Sequence, residues 1–260
     1  METLLRILRN AICVVLALSL TQCPKDPAPK RGNQRVNSFS KAKKLIYKLF
    51  SIHKRTFYCQ CSYNERRIQH ASCQYIVRRN KKRASRTEIE HVVPAHAFGR
   101  SFGAWRLGHT LCRKRSGKKF RGRNCARKVS KTFRRMEADL FNLQPSVGEI
   151  NGDRSNFSMA MIPGETRDYG ACDIEIKDRK VEPRPGIRGD IARTYMYMNW
   201  AYPGRGIIGG SKEKLFVAWD KSDPVDQWEY NRTRALEKLQ GNLNPFVGKV
   251  GSTGYGPAAA

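Results

Sequence analysis

The stretch RTEIEHVVPAHAFG, residues 86–99, sets Glu90 directly beside His91 and ahead of Pro94. An imidazole with an ordinary pKa of about 6.5 takes a proton from water at neutral pH, and a carboxylate beside it can hold a hard cation. A second polar island, DLFNLQPSVGEINGDRSNF at residues 139–157, is rich in carboxamides and carboxylates. The chain has no G-x-S-x-G elbow, no P-loop and no H-E-x-x-H, so serine-hydrolase, nucleotide-hydrolase and zincin chemistries lack their residues. The two islands together point to phosphodiester hydrolysis.

The elements that must position these groups can be read in outline. Adjacent strand residues point to opposite faces, so Glu90 and His91 are expected at a place where a strand bends or ends. Pro94 supplies the stop: it lacks a donor and restricts Val93. Ser38 reads as the N-cap of a basic amphipathic helix with Leu45, Ile46, Leu49 and Phe50 on its apolar stripe. Residues 55–63 and 74–79 read as strands, 130–150 as a helix broken by Pro145, 171–183 as a β-ribbon, 187–202 as a helix, and 224–240 as a last helix. The fold class is a mixed α+β single domain over residues 38–247, preceded by a polar linker at 23–37 and followed by a disordered tail at 248–260.

Of 260 residues, 50 are Lys or Arg and 22 are acidic, for a net charge of +28. That excess predicts a polyanionic partner, nucleic acid or an acidic membrane surface. The cations concentrate in residues 113–136, RKRSGKKFRGRNCARKVSKTFRRM, where no acid occurs. One or two lysines would read as a solvated face; an unbroken cationic tract suits a phosphate backbone.

Residues 1–22 read as a signal peptide: Arg6 and Arg9 precede an apolar run at 11–20 that is too short to span a bilayer, and Ala17 and Ser19 suit cleavage. No other run could form a transmembrane segment, and a periplasmic or secreted location follows. A lipid anchor on Cys23 is the alternative, opposed by the bulky Gln22 before it. Beyond Cys13 and Cys23, six cysteines remain: Cys59, Cys61, Cys73, Cys112, Cys125 and Cys172. In an oxidising compartment an even number implies three disulfides. Six cysteines allow about 15 pairings, and the one expected here is Cys112–Cys125, with Cys59 and Cys61 bridging separately to Cys73 and Cys172. A zinc site is the rival reading, and C-x-C and C-x11-C spacings do not match its knuckles.

Four blocks in order, EHVVPAHAFG, NLQPSVGEINGDRSNF, GDIARTYMYM and GNLNPFV, resemble the bacterial endonuclease I family of periplasmic and secreted nonspecific nucleases. The resemblance covers residues 38–247 and implies a ββα-metal (His-Me) finger. It implies His91 as general base and Glu90 and Asn151 as ligands of Mg²⁺, with Mn²⁺ or Ca²⁺ as substitutes and no organic cofactor. The expected protein is a monomer that cuts double- and single-stranded DNA to 5′-phosphate products, and RNA as well, since nothing in the sequence suggests base-edge readout. Relatives carry a phosphate-clamping arginine in a GGR-like setting before the second cysteine of the basic loop. Here FRGRNC departs from that pattern and offers Arg123 first and Arg121 second. Asn142 and Glu149 are expected to be structural hydrogen bonders, and His53, His70, His96 and His109 surface or core residues. The competing class is a noncatalytic polyanion-binding protein on a degenerate nuclease fold.

Overall fold

A computed structural model describes residues 30–164 and 166–254. The signal segment at 1–22, Cys23 and the tail beyond residue 254 lie outside the described residues. Helix α1 spans Phe39–Leu49 and is capped by Ser38, whose Oγ accepts from the Lys41 amide at 3.4 Å. It lays Ala42 and Ile46 on the core and leaves its lysines outward, as its stripe predicts.

Strands β1 (Tyr63–Asn64) and β2 (Arg67–Ile68) form a short antiparallel hairpin. Two longer strands expected around it, at 55–63 and 74–79, are loops instead. Gln60 and Gln74 adopt left-handed backbone, φ 56° and 48°, which ends any extended run. Disulfides Cys59–Cys172 and Cys61–Cys73 hold these loops in place of a ladder.

Next come α2 (Lys81–Ala84), β3 (Thr87–His91), α3 (Ala95–Gly99), α4 (Gly103–Arg106), α5 (Arg123–Val129) and α6 (Lys131–Glu137). The expected 130–150 helix is divided. After α6 the chain turns through a 3₁₀ segment into β4 (Leu143–Val147) and then α7 (Gly148–Arg154). Pro145 lies inside β4 opposite Ile89; the β3–β4 sheet has two strands, so a missing N–H on β4 is tolerated.

Beyond it, β5 (Ser158–Met159), β6 (Ile174–Lys177) and β7 (Lys180–Pro183) form a sheet of order β5-β7-β6, which contains the expected ribbon. Three helices complete the chain: α8 (Arg188–Ala201), α9 (Gly210–Ser222) and α10 (Gln227–Gln240). The sequence reading missed α9, which buries few side chains: Phe216, Trp219 and Asp220. No described helix is long and apolar enough to cross a membrane.

Helix α8 is buried along most of its length, and its Arg193 pairs with Asp220 of α9 at 2.9 Å and Glu229 of α10 at 2.6 Å. From α8 and its C-cap, Tyr197 and Tyr202 donate to Asp139 at 2.9 and 2.7 Å. Arg232 of α10 donates to the carbonyls of Leu140, Phe141 and Leu143. The helical layer thereby fixes the turn that delivers β4.

The described parts of both flanks, residues 30–37 and 248–254, pack on the domain. Asn33 and Val36 are buried, and the Asn33 amide donates to Tyr202 Oη at 2.9 Å, so the end of the expected linker is docked. At the other end Gly254 N–H donates to Asp220 Oδ1 at 2.9 Å, which docks the first part of the expected tail, residues 248–254.

Candidate active site

Strands β3 and β4 run antiparallel, with Glu88 opposite Ser146, Glu90 opposite Gln144 and His91 opposite Leu143. Helix α7 follows β4 directly and crosses the face of β3 that carries Glu88 and Glu90. Asn151 and Arg154, one helical turn apart, meet them: Asn151 Nδ2 donates to Glu88 Oε2 at 2.9 Å, and Arg154 Nη1 lies 3.2 Å from Glu90 Oε1. Gly152 permits this approach, because a Cβ there would sit 2.0 Å from Arg83 Nη1, displacing the guanidinium that binds Glu88 at 2.5 Å.

His91 points to the other face. Its ring lies 4.7 Å from that of Phe39, and its Nε2–H donates to the Glu137 carbonyl at 2.9 Å. That partner assigns the proton to Nε2 and leaves the lone pair on Nδ1. The strand ends at His91 as expected, and Pro94 precedes α3. No bend brings the pair onto one face. Glu90 and His91 alternate as a regular strand requires, and both reach the same cavity because it runs along the end and free edge of β3.

This cavity has a volume of about 670 Å³, and its wall includes Glu90, His91, Asn151 and Arg123. The structure therefore brings together four of the residues singled out from sequence. It separates Arg121, which is exposed, bonds to the Arg106 carbonyl at 3.3 Å and lines a neighbouring groove. All six cysteines sit in bridges, Cys59–Cys172, Cys61–Cys73 and Cys112–Cys125.

Asn142 and Glu149 are hydrogen bonders, as expected. The Asn142 amide exchanges two bonds with the Val93 backbone at 2.7 and 2.9 Å, fixing the exit after His91. Glu149 accepts from Tyr75 Oη and the Arg78, Arg79 and Asn80 amides. His53 stacks on Trp228, and His96 is half-buried on the cavity wall.

Three residues went unrecognised. Glu88 was readable only as the same-face neighbour two positions before Glu90. Glu137 serves twice: its carbonyl holds His91, and its buried carboxylate binds Arg123 Nε at 2.5 Å and Arg127 Nη2 at 2.6 Å. Arg154, 1 % exposed, joins Glu90 to the His91 and Val92 carbonyls, the latter two at 3.1 and 2.6 Å. No composition signal marks a buried arginine.

Charge explains the protonation states. Burial, then the Arg123 and Arg154 guanidiniums, lowers His91 to about 4, which keeps it neutral at physiological pH. Burial raises Glu90 despite Arg154 and Tyr58. Burial would raise Glu88 as well, but hydrogen bonds from Arg83 and Arg86 outweigh it and hold that carboxyl low. Glu137 is likewise held low by Arg127 and Arg123 against its burial.

The donors fit a hard cation. Glu90 receives Tyr58 Oη and Arg154 on Oε1, so neither contact uses Oε2. With Nδ2 bound to Glu88, Asn151 has Oδ1 as its remaining acceptor. A carboxylate and a carboxamide oxygen on one cavity wall suit Mg²⁺, which keeps several waters. A further positive charge would also ease the burial of Glu90. A thiolate and imidazole zinc set is absent: the described cysteines are all bridged, and no group of three His, Cys, Asp or Glu stands ready among the described residues.

The lowered His91 pKa makes stability depend on pH. Between pH 6.5 and about 4 the unfolded chain binds a proton at this position and the folded chain does not, so stability falls as pH drops through that window. The contribution lost is about 3 kcal/mol when complete. Urea denaturation in EDTA should therefore show wild type losing that much more than His91→Gln between pH 7 and pH 4. Parallel losses would contradict the assignment.

Comparison with known proteins shows the family. The family model described as Endonuclease I matches residues 34–250. An extracellular deoxyribonuclease of Aeromonas hydrophila is 39% identical over 246 residues, covering 92% of this chain and 96% of the relative. A periplasmic deoxyribonuclease of Aeromonas hydrophila is 38% identical over 90% of this chain and 94% of its own. Endonuclease-1 of Buchnera aphidicola subsp. Acyrthosiphon pisum is 40% identical over 82% of each chain. With a match across most of the sequence, and the residues marked in advance gathered in one basic cavity, the chain belongs to the endonuclease I family.

Proposed function

We propose that the protein is an exported, metal-dependent, sequence-nonspecific endonuclease acting on DNA and RNA through a ββα-metal finger formed by β3, β4 and α7. The observation that carries this reading is the commitment of His91 Nε2 to the Glu137 carbonyl, which leaves Nδ1 as the acceptor in a cavity shared with Glu90, Asn151 and Arg123.

His91 Nδ1 takes the proton of the attacking water while its Nε2–H stays on the carbonyl and holds the ring. Arg123 is neutralised in part by Glu137, and its side chain remains 38% exposed on the cavity wall beside His91, which makes its guanidinium the donor for a phosphate oxygen. Arg154 favours the ionised form of Glu90 against its burial and ties it to the backbone of His91. Glu90 and Asn151 would hold Mg²⁺, with Mn²⁺ or Ca²⁺ as substitute, and the ion would supply charge neutralisation at the phosphate and the departing 3′ oxygen. Cleavage on that side leaves 5′-phosphate ends.

The charged groups of the cavity address phosphates, which DNA and RNA share, and contacts to phosphate carry no sequence information. Export to the periplasm or medium is supported by the apolar segment at 11–20 and by the names of the Aeromonas relatives. The test is incubation of purified protein with supercoiled plasmid in Mg²⁺ and in EDTA. Nicking and linearisation in Mg²⁺ alone are expected; gel retardation without nicking would instead establish a noncatalytic polyanion binder.

A further inference from the structure

The wall of the active cavity continues outward through two segments. Trp105 and Arg123 line the cavity, while Leu107 and Arg121, two residues farther along each segment, line a second groove with Arg113, Lys119 and Phe120. The segments are tied together by Gly122 N–H donating to the Trp105 carbonyl at 3.0 Å.

Beyond them projects a hairpin held by the Cys112–Cys125 disulfide, the Arg113–Lys119 bridge, and amide bonds from Lys114 to Lys118 O and from Phe120 to Cys112 O at 3.0 and 2.9 Å. Residues 113–123 contain seven cations and no acid. Among the described residues only Arg123 of the seven pairs with a carboxylate; Arg113 and Arg121 bond backbone carbonyls, and Lys114, Arg115, Lys118 and Lys119 are exposed.

A flexible tail could spread such charge. This hairpin is stapled, and it holds like charges at fixed spacing with a protein counter-charge for Arg123 alone among the described residues. The arrangement complements a rigid polyanion that enters from the cavity beside it. Exposed Leu107 and Leu111 raise a lipid surface as the rival, but the charges continue the cavity wall, and a bilayer has no reason to follow that line.

We propose that this hairpin is a second nucleic-acid contact, outside the chemical site, that grips the phosphate backbone of the strand leaving the cavity. The proposal rests on the nuclease reading for its substrate, and its test needs no cleavage.

Binding of a long duplex is measured by fluorescence anisotropy in EDTA across a salt series, for wild type and for the combined variant Lys114→Ser, Arg115→Ser, Lys118→Ser, Lys119→Ser. The slope of log affinity against log salt should flatten by roughly 3.6, at about 0.9 for each of the four lost phosphate contacts. Affinity for a hexanucleotide, which occupies the cavity alone, should be unchanged. An unaltered slope, or a wild type that does not bind duplex, overturns the proposal. So does an equal loss on the hexanucleotide, which would make the charges a general attraction. Loss of binding to phosphatidylglycerol vesicles with duplex binding intact overturns it in favour of a membrane contact. A wild type that binds with the full slope but cuts nothing refutes the nuclease reading and leaves this contact standing.

Discussion

Replacing His91 with alanine is expected to leave DNA affinity in place and to lower the cleavage rate by roughly 10²- to 10⁴-fold, the range for loss of a general base. Affinity survives because phosphate binding falls to cations that the change does not touch, Lys43, Arg66, Arg86 and Arg123 on the cavity wall among them. The fold should survive as well. His91 is at the end of β3, its ladder partner Leu143 is held from the far side by Arg232, and the exit after it is fixed by Asn142. Single-turnover cleavage beside anisotropy binding checks both halves. A variant cutting at the wild-type rate would remove His91 from the chemistry.

The second large effect is on stability. Cys59–Cys172 joins residues 113 apart, against 12 and 13 for Cys61–Cys73 and Cys112–Cys125. By loop-closure entropy the long bridge contributes about 4.8 kcal/mol and the short ones roughly 3 each. It ties the irregular loop at 55–63 to the segment entering β6, where no sheet hydrogen bonds join the two. Paired substitution Cys59→Ala, Cys172→Ala should lower the free energy of unfolding in urea most among the three pairs. A loss no larger than that of Cys112→Ala, Cys125→Ala would show that packing, not the cross-link, holds this loop.

Elements with a regular apolar period were legible in the sequence. The stripe of α1, the inward side of α8 and the turn between β6 and β7 each announce themselves. Strand β4 does not, because Leu143–Val147 is buried along its whole length and contains Pro145, so neither alternation nor composition marks it. Residues 55–63 mislead in the opposite direction: their β-forming composition is overridden by a left-handed Gln60 and two disulfides.

Of the residues lining the cavity, Glu90, His91 and Asn151 are marked by the motif blocks and Arg123 by its place before Cys125. The roles of Glu88, Glu137 and Arg154 are not. Their roles are cross-contacts between β3, α6 and α7 that exist only when those elements pack. Arg154 is the clearest case, a fully buried cation that is stable because Glu90 and two backbone carbonyls surround it. Through that contact Glu90 is paired by Oε1, and neither Arg154 nor Tyr58 uses its Oε2.

Because Glu88 also touches Asn151, the position of the cation is the point on which the account turns. Anomalous scattering from Mn²⁺ in crystals of the His91→Ala variant with a bound oligonucleotide locates it directly. The account predicts one peak about 2.1 Å from a Glu90 carboxylate oxygen and from Asn151 Oδ1, with Glu88 remaining on Arg83 and Arg86. A peak coordinated by Glu88 in place of Glu90, or one outside this cavity, would contradict it.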